Sequence, residues 1–204
     1  LREALKALVR AARQLGSRAK VRRLLRERAP LRVEVGAGAR RGREGWVTLD
    51  LARGCDVYWD LRRGMPFPDG SVAKVYSSHF LEHLTFREGQ RFLDECLRVL
   101  VPGGVFSICV PDARRYLEAY VRGEALPAEF FGYAPAFNNT TRIDYANHIA
   151  YMDGQHRYMF DAENLVHRLA ARGFRNARLR AFDPALDLAE RDFHSLYAEA
   201  EKPG

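Results

Sequence analysis

The sequence predicts an α/β domain, a doubly wound and mostly parallel sheet with helices on its faces. Three observations predict it. From residue 31 onward, short apolar runs of strand length alternate with stretches of helical periodicity. The first run, "LRVEVGAG", ends in a glycine turn, where open parallel sheets hold their ligands. The chain has 204 residues, 47% of them apolar, enough for one buried core without disulfides.

The elements follow in order. Residues 1–28 read as a helix in which Leu5, Leu8, Val9, Ala12 and Leu15 form an apolar stripe. Gly16-Ser17 is expected to interrupt it, Val21, Leu24 and Leu25 to resume it, and Pro30 to end it. This segment, 1–30, forms an N-terminal extension on a domain spanning 31–204. "LRVEV", "WVTLD" and "CDVYWD" are the first three strands, "VAKVYSS" the fourth and "GVFSICV" the fifth. "EGQRFLDECLRVL" is a helix with Phe92, Leu93, Cys96, Leu97 and Leu100 on one side, stopped by "VPGG". The link between the first two strands, "ARRGREG", is too short for the usual full helix. Residues 112–158, rich in Tyr, Phe, Asn and His, read as an irregular lid inserted after the fifth strand, with a short helix near 113–120. "FDAENLVHRLAARGF" is a capped helix, Asp161 its cap, Leu165, Val166 and Leu169 its buried stripe, Gly173 its stop. "NARLRAF" and "SLYAEAEK" close the sheet.

Composition narrows the function classes. No run of 18 apolar residues exists, so no membrane span is expected. No signal peptide is visible, although the chain opens at Leu1 without Met. Cys55, Cys96 and Cys109 show no C-x-x-C spacing, which argues against a zinc ribbon or redox pair and fits a reducing cytoplasm. The net charge of +7 is uneven: residues 1–44 carry +10 and the rest −3. A basic end can meet phosphates on RNA, lipid or lipopolysaccharide, or be a solvated helix face. No aromatic residue precedes Trp46, so that segment offers no base-stacking platform and nucleic acid is not favoured.

The glycine turn points to a ligand. Gly36 and Gly38 let the backbone bend without a side chain in the way. A dinucleotide site needs G-x-G-x-x-G and an acid about 20 residues on. Here the sixth position is Arg41, and the acid ending the next strand, Asp50, comes 12 residues after Gly38. Glu34 precedes the turn as E-x-G-x-G, and a carboxylate there suits a cationic ligand rather than a pyrophosphate. S-adenosylmethionine has the ribose and positive charge that this pattern asks for.

Together, "VEVGAG", "GWVTLDL", "DVYWDLRRGMPFPDGSVAKVYSSHFLEHL", "DECLRVLVPGGVFSICVPD" and "HRYMFDAENLVHRLAARGF" resemble the class I S-adenosylmethionine-dependent methyltransferases, above all their bacterial type-11 branch, often linked to surface-glycan gene clusters. The resemblance implies the Rossmann-like fold of that class and S-adenosylmethionine as cofactor. It implies that Glu34, Gly36, Ala37 and Gly38 lie beneath the amino acid part of the cofactor, Glu34 near its ammonium. Asp50 would accept the ribose hydroxyls and Leu51 pack beside the adenine. Asp60 would bond the adenine amino group, Leu61 supplying backbone, and Ser78 and His79 would line the methionine side.

Residues 79–83, "HFLEH", match the His-x-x-Glu-His spacing of one class of zinc peptidases. That site needs both imidazoles on one helix, whereas His79 ends a strand, and no third ligand can be assigned along the chain. No metal is therefore expected. A base is needed only if the acceptor must lose a proton, as a sugar hydroxyl would. His79, Asp112, His148 and His156 are the candidates, with His148 and His156 favoured because both lie in the lid. The expected partner is a small-molecule or glycan acceptor, probed by the lid's rings and amides. The alternatives are an RNA methyltransferase anchored by the basic end, which lacks an "NPPY"-type motif where "SSHF" stands, and a non-catalytic cofactor-binding subunit.

Overall fold

The structure is a computed structural model that describes residues 2–28, 30–42, 44–133, 136 and 140–204, with backbone alone over 2–12. The described residues form a sheet of seven strands: β1 (Leu31–Val35), β2 (Trp46–Asp50), β3 (Val57–Tyr58), β4 (Val72–Ser78), β5 (Leu100–Pro111), β6 (Arg175–Leu179) and β7 (Ser195–Glu201). Their order is β3-β2-β1-β4-β5-β7-β6. The first five run parallel; β7 is antiparallel to both β5 and β6. The carboxyl ends of β1, β2 and β4 thus sit side by side, and the chain order reverses between β1 and β4, where such sheets bind ligands.

The described residues between 36 and 45 contain no helix, as the short link requires. The sheet face that carries Glu34, Tyr76 and Ser107 in register is covered instead by the segment after β6. There Arg180 forks onto Asp187 at 2.5 and 2.8 Å, while Tyr76 donates to the same carboxylate at 3.0 Å. Arg180 Nε donates to Ser107 Oγ at 2.9 Å.

The opposite face is covered by α2 (Phe86–Val99) and α5 (Ala162–Ala171). Phe92, Leu93, Cys96 and Val99 of α2 and Leu165 and Leu169 of α5 are buried in the main core, and the Phe106 ring stacks between the elements at 5.7 Å from Phe174. Thr85 and Glu88 form a reciprocal capping box that starts α2. Asp161 caps α5 through the Asn164 amide, as its sequence predicts. Cys109 is a small buried core residue.

The N-terminal helix differs from expectation in two ways. α1 (Arg2–Arg28) runs through Gly16-Ser17 without a break. Gly16 costs about 1 kcal/mol relative to alanine, but Ser17 is buried and its Oγ accepts the Tyr58 amide at 3.0 Å. Tyr58 lies on the edge strand β3, whose outward amides have no strand partner, so the helix is held in register by the edge it satisfies. Leu15, expected in the buried stripe, is 67% exposed, because the face that meets the sheet is set by Ser17, Val21 and Leu24. The other stripe residues, Leu5, Leu8, Val9 and Ala12, have side chains outside the described set. Part of the basic charge is absorbed internally: Arg13 and Arg18 sit over the Tyr58 and Trp59 rings, and Lys20 pairs with Asp56 at 3.2 Å. Arg22, Arg23, Arg26 and Arg28 remain exposed. No helix of the described residues is long and apolar enough to cross a membrane.

The described residues between 113 and 151 form more regular structure than an irregular lid. α3 (Ala113–Arg122) and α4 (Ile143–Tyr151) pack together. Ala113, Tyr116, Ala119, Phe130, Tyr145 and Ile149 form a second, smaller core. Tyr116, Phe130, Phe131 and Tyr145 are therefore occupied with one another, whereas Tyr120, Tyr133 and Tyr151 are exposed. Phe137, Asn138 and Asn139, which carry part of the expected amides, lie outside the described residues.

Candidate active site

The turn after β1 is built as the glycines predict. Gly36 and Gly38 take φ of +69° and +65°, values that favour glycine. The amides of Gly36 and Ala37 donate to Leu49 O, and the Gly38 amide donates to Asp50 Oδ2 at 2.9 Å. The Asp50 carboxylate also accepts the Ala52 amide at 2.8 Å. It is thus oriented by backbone while keeping unused lone pairs on each oxygen. Above Gly36 lies the Phe80 ring, so close that a Cβ there would stand 2.5 Å from it. The position of Gly38 is open, with nothing within 4 Å of such an atom.

Next to the turn is a cleft of about 180 Å³ lined by Asp50, Leu51, Asp60 and Leu61, together with Trp59 and Phe80. Leu51 is 43% exposed, an apolar side chain presented to the cleft. Asp60 caps the turn at Leu61–Arg63 and pairs with Arg62, Nε to Oδ1 and Nη2 to Oδ2, both at 2.9 Å. The Arg62 guanidinium holds the Asp60 carboxyl below its ordinary range, with burial opposing it. Both oxygens are already engaged, so an adenine amino group would have to share them.

Glu34 goes elsewhere. Arg40 reaches back to it at 2.6 Å, and both line a separate cleft with Trp46 and Tyr76. Strand alternation explains this: Val33 and Val35 point into the core, so Glu34 points to the other face. Ser78 and His79 end β4 as expected. Ser78 is buried, and Arg191 approaches its hydroxyl at 3.4 Å. His79 has φ of +50°, which is rare for a residue with a side chain and marks a position held by its surroundings. Its amide donates to Cys109 O at 2.9 Å, and Nε2 lies 2.8 Å from Ser195 Oγ.

A second cleft, about 580 Å³, adjoins the first, and His83 lines both. Five of the six histidines of the chain line it: His79, His83, His148, His156 and His194. His148 and His156, the two expected bases, are thus brought together there, each nearly buried. Asp112 is not; it caps α3 through the Arg114 amide. Burial holds the histidines neutral. It pushes His148 and His83 below their ordinary value, and His156 and His194 down to about 4. Glu82, at the cleft floor, is pushed up to about 8 by burial. Burial thus disfavours the charged form of Glu82, and its 3.9 Å contacts to His79 and His83 are longer than hydrogen bonds.

Sequence reasoning missed Trp59, Phe80 and Arg62 in the first cleft, although each is one or two residues from a predicted site residue. It missed Arg191 and His194 in the second. These approach from just before β7, more than 100 residues from His79 in the chain, and no local pattern marks them.

Comparison with known proteins agrees with this geometry. A family model described as a methyltransferase domain matches residues 45–108. A probable S-adenosylmethionine-dependent methyltransferase of Mycolicibacterium smegmatis is 42% identical over 57 residues, 26% of this chain and 21% of that protein. Among solved structures, an S-adenosylmethionine-dependent methyltransferase of Archaeoglobus fulgidus superimposes with a TM-score of 0.55 at 17% identity, covering 93% of this chain and 94% of that one. A Thermotoga maritima S-adenosylmethionine-dependent methyltransferase, described as a possible histamine N-methyltransferase, gives 0.53 at 16% identity, covering 98% and 95%. Phosphoethanolamine N-methyltransferase 2 of Haemonchus contortus, in complex with S-adenosylmethionine, gives 0.53 at 11% identity, covering 84% and 48%. The chain thus spans about a fifth of the curated relative and about half of the Haemonchus enzyme, and at these identities the structural likeness is one of fold. Residues 45–108 thus match a methyltransferase domain, and the mostly parallel sheet with its glycine turn has the fold of the class I S-adenosylmethionine-dependent methyltransferases.

Proposed function

We propose that this chain transfers the methyl group of S-adenosylmethionine to a hydroxyl of a small-molecule or glycan acceptor. One observation carries the reading: a cleft beside the glycine turn, lined by two carboxylates, adjoins a larger cleft lined by five neutral histidines. The first suits a nucleoside with hydroxyl and amino groups to donate. The second suits a polar acceptor that must be placed in line with the sulfonium and lose a proton. Alignment of two bound reactants is worth about 7–11 kcal/mol in favourable cases. A neutral imidazole of His148 or His156 takes the proton as the acceptor oxygen attacks. The segment 112–158 acts as the lid over the acceptor.

In the cofactor cleft, Asp50 receives the ribose hydroxyls and Leu51 the adenine face, with the methionine part passing Gly38 toward His79. Phe80 moves off Gly36 or marks the edge of that path. The RNA alternative is weakened because Arg13, Arg18 and Lys20 of the basic helix are taken up by contacts within the chain.

The test is calorimetry with S-adenosylhomocysteine, followed by release of that product from S-adenosylmethionine in the presence of hydroxylated sugars, aromatic hydroxyl compounds or RNA. Binding with turnover on sugars or phenols supports the proposal. Turnover on RNA alone, or binding without turnover on any acceptor, overturns it.

A further inference from the structure

Glu82 has no role in the cofactor cleft, yet it is 2% exposed and neither carboxyl oxygen has a hydrogen-bond partner. Leaving such a group unsatisfied in the interior costs about 1–3 kcal/mol or more, so its retention asks for a ligand or an ion. Two imidazoles meet it. The ligand atoms of Glu82, His83 and His156 all lie within 4.8 Å of one another, and the two rings stand edge to face at 5.2 Å.

Both rings are oriented in the way a metal site requires. His83 Nδ1 is 3.0 Å from Gln155 O, and His156 Nδ1 is 2.8 Å from Ile149 O. A carbonyl can only accept, so each Nδ1 carries the hydrogen and each Nε2 offers its lone pair. A backbone carbonyl behind each imidazole is the usual outer support of a metal-ligating histidine. The backbone is locked too: the Arg157 and Tyr158 amides donate to Glu82 O at 2.8 and 3.3 Å. The third ligand that the sequence could not supply is delivered by this junction between residues 82–83 and 155–158. His79 stays outside the set, with its Nε2 at Ser195.

We propose that Glu82, His83 and His156 bind one divalent first-row transition-metal ion, Zn²⁺ in the first place, with its open coordination positions facing the larger cleft. Two imidazoles and one carboxylate make a donor set of catalytic zinc sites, which keep a position open, and also of facial iron sites. Nitrogen donors disfavour Mg²⁺ and Ca²⁺, which take oxygen ligands. Donors on zinc bonds at tetrahedral angles stand about 3.4 Å apart, so small side-chain rotations close the set.

The role of the ion rests on the methyltransferase reading. It takes the acceptor hydroxyl oxygen as a Lewis acid, lowering its pKa as it does that of bound water. The released proton passes to the imidazole of His148, which lines the same cleft. The oxygen then attacks the methyl carbon; the C–O bond forms, the C–S bond breaks, and sulfur keeps the electron pair as neutral S-adenosylhomocysteine. His156 then holds the ion, and His148 remains as the base.

The test uses the full chain, freed of metal by chelation and titrated with Co²⁺ and then Zn²⁺ alone. One equivalent of Co²⁺ should produce a visible d–d band that Zn²⁺ displaces, and Zn²⁺ should raise the melting temperature. Glu82→Gln and His156→Ala should each weaken Zn²⁺ binding at least tenfold, whereas His167→Ala, on an exposed face of α5, should not. His83→Gln alters a ligand at the cleft rim and serves if the Glu82 variant does not fold. No Co²⁺ band, or equal affinity in the His83 and His156 variants, overturns the site. S-adenosylhomocysteine calorimetry on the metal-free protein separates the two readings. Binding without any metal site overturns only this inference; a metal site without nucleoside binding overturns the methyl-transfer role and leaves the site standing.

Discussion

The Asp50 carboxylate holds the glycine turn: it accepts the Gly38 amide at 2.9 Å and the Ala52 amide at 2.8 Å. Under the proposed function, the side chain that receives the ribose also shapes the loop beneath the methionine. Asp50→Ala should therefore weaken S-adenosylmethionine and S-adenosylhomocysteine alike, at least tenfold, matching the about 1.5–3 kcal/mol of a hydrogen bond to a charged group. Asp50→Asn, which keeps one acceptor oxygen, should lose less. Calorimetry on both variants checks this, with circular dichroism to confirm the fold; unchanged affinity would remove Asp50 from the site.

Gly36 and Phe80 make a second coupled pair. Gly36→Ala meets a left-handed φ, costing about 1–2 kcal/mol, and the Phe80 ring at 2.5 Å, where overpacking adds about 1–3 kcal/mol. In the double variant with Phe80→Ala, the ring's share of the clash should vanish, while the contact with the Phe80 Cβ, also at 2.5 Å, and the backbone part remain. Urea midpoints of the single and double variants should thus be non-additive; full additivity would mean that the ring moves away freely.

Arg180 and Asp187 pin the final segment to the sheet. Arg180 is nearly buried and Asp187 fully so. Removing one partner leaves the other charge without compensation, so Asp187→Ala should cost about 3–5 kcal/mol. Asp187→Asn, which still accepts from Tyr76, should cost less. Thermal or urea denaturation measures both.

A pH dependence follows from Glu95. The Arg98 guanidinium, at 2.7 Å, holds its carboxyl below the ordinary value, helped by the Met65 amide at 2.6 Å and opposed by burial. A folded-state value below the unfolded one stabilises the fold above the unfolded value, and that stability is lost as pH falls through the folded one. Wild type should be more stable than Glu95→Gln at neutral pH, and the gap should close below about pH 4. A gap that persists in acid would show that packing, not charge, sets the contribution.

Much of this molecule was legible in its one-dimensional pattern. Apolar runs, the stop at Gly173 and the cap at Asp161 named the elements, because strand and helix periods are local properties of the chain, whereas the helix expected to run through Leu100 ends at Val99 and "VPGG" lies inside β5. The bend at Gly36 and Gly38 and the acids at Asp50 and Asp60 were equally readable, since a parallel sheet puts such residues at its carboxyl edge by construction. What tertiary structure alone decided were the relations between distant segments. Gly16-Ser17 looked like a break until an edge-strand amide needed the serine hydroxyl. Glu34 lines a different cleft from Asp50 and Asp60 because a strand turns alternate side chains to opposite faces. His156 reached Glu82 and His83 only because the backbone of residues 157–158 hydrogen-bonds to Glu82. Local patterns set what each segment is; long-range packing, which no short window contains, sets which side chains meet.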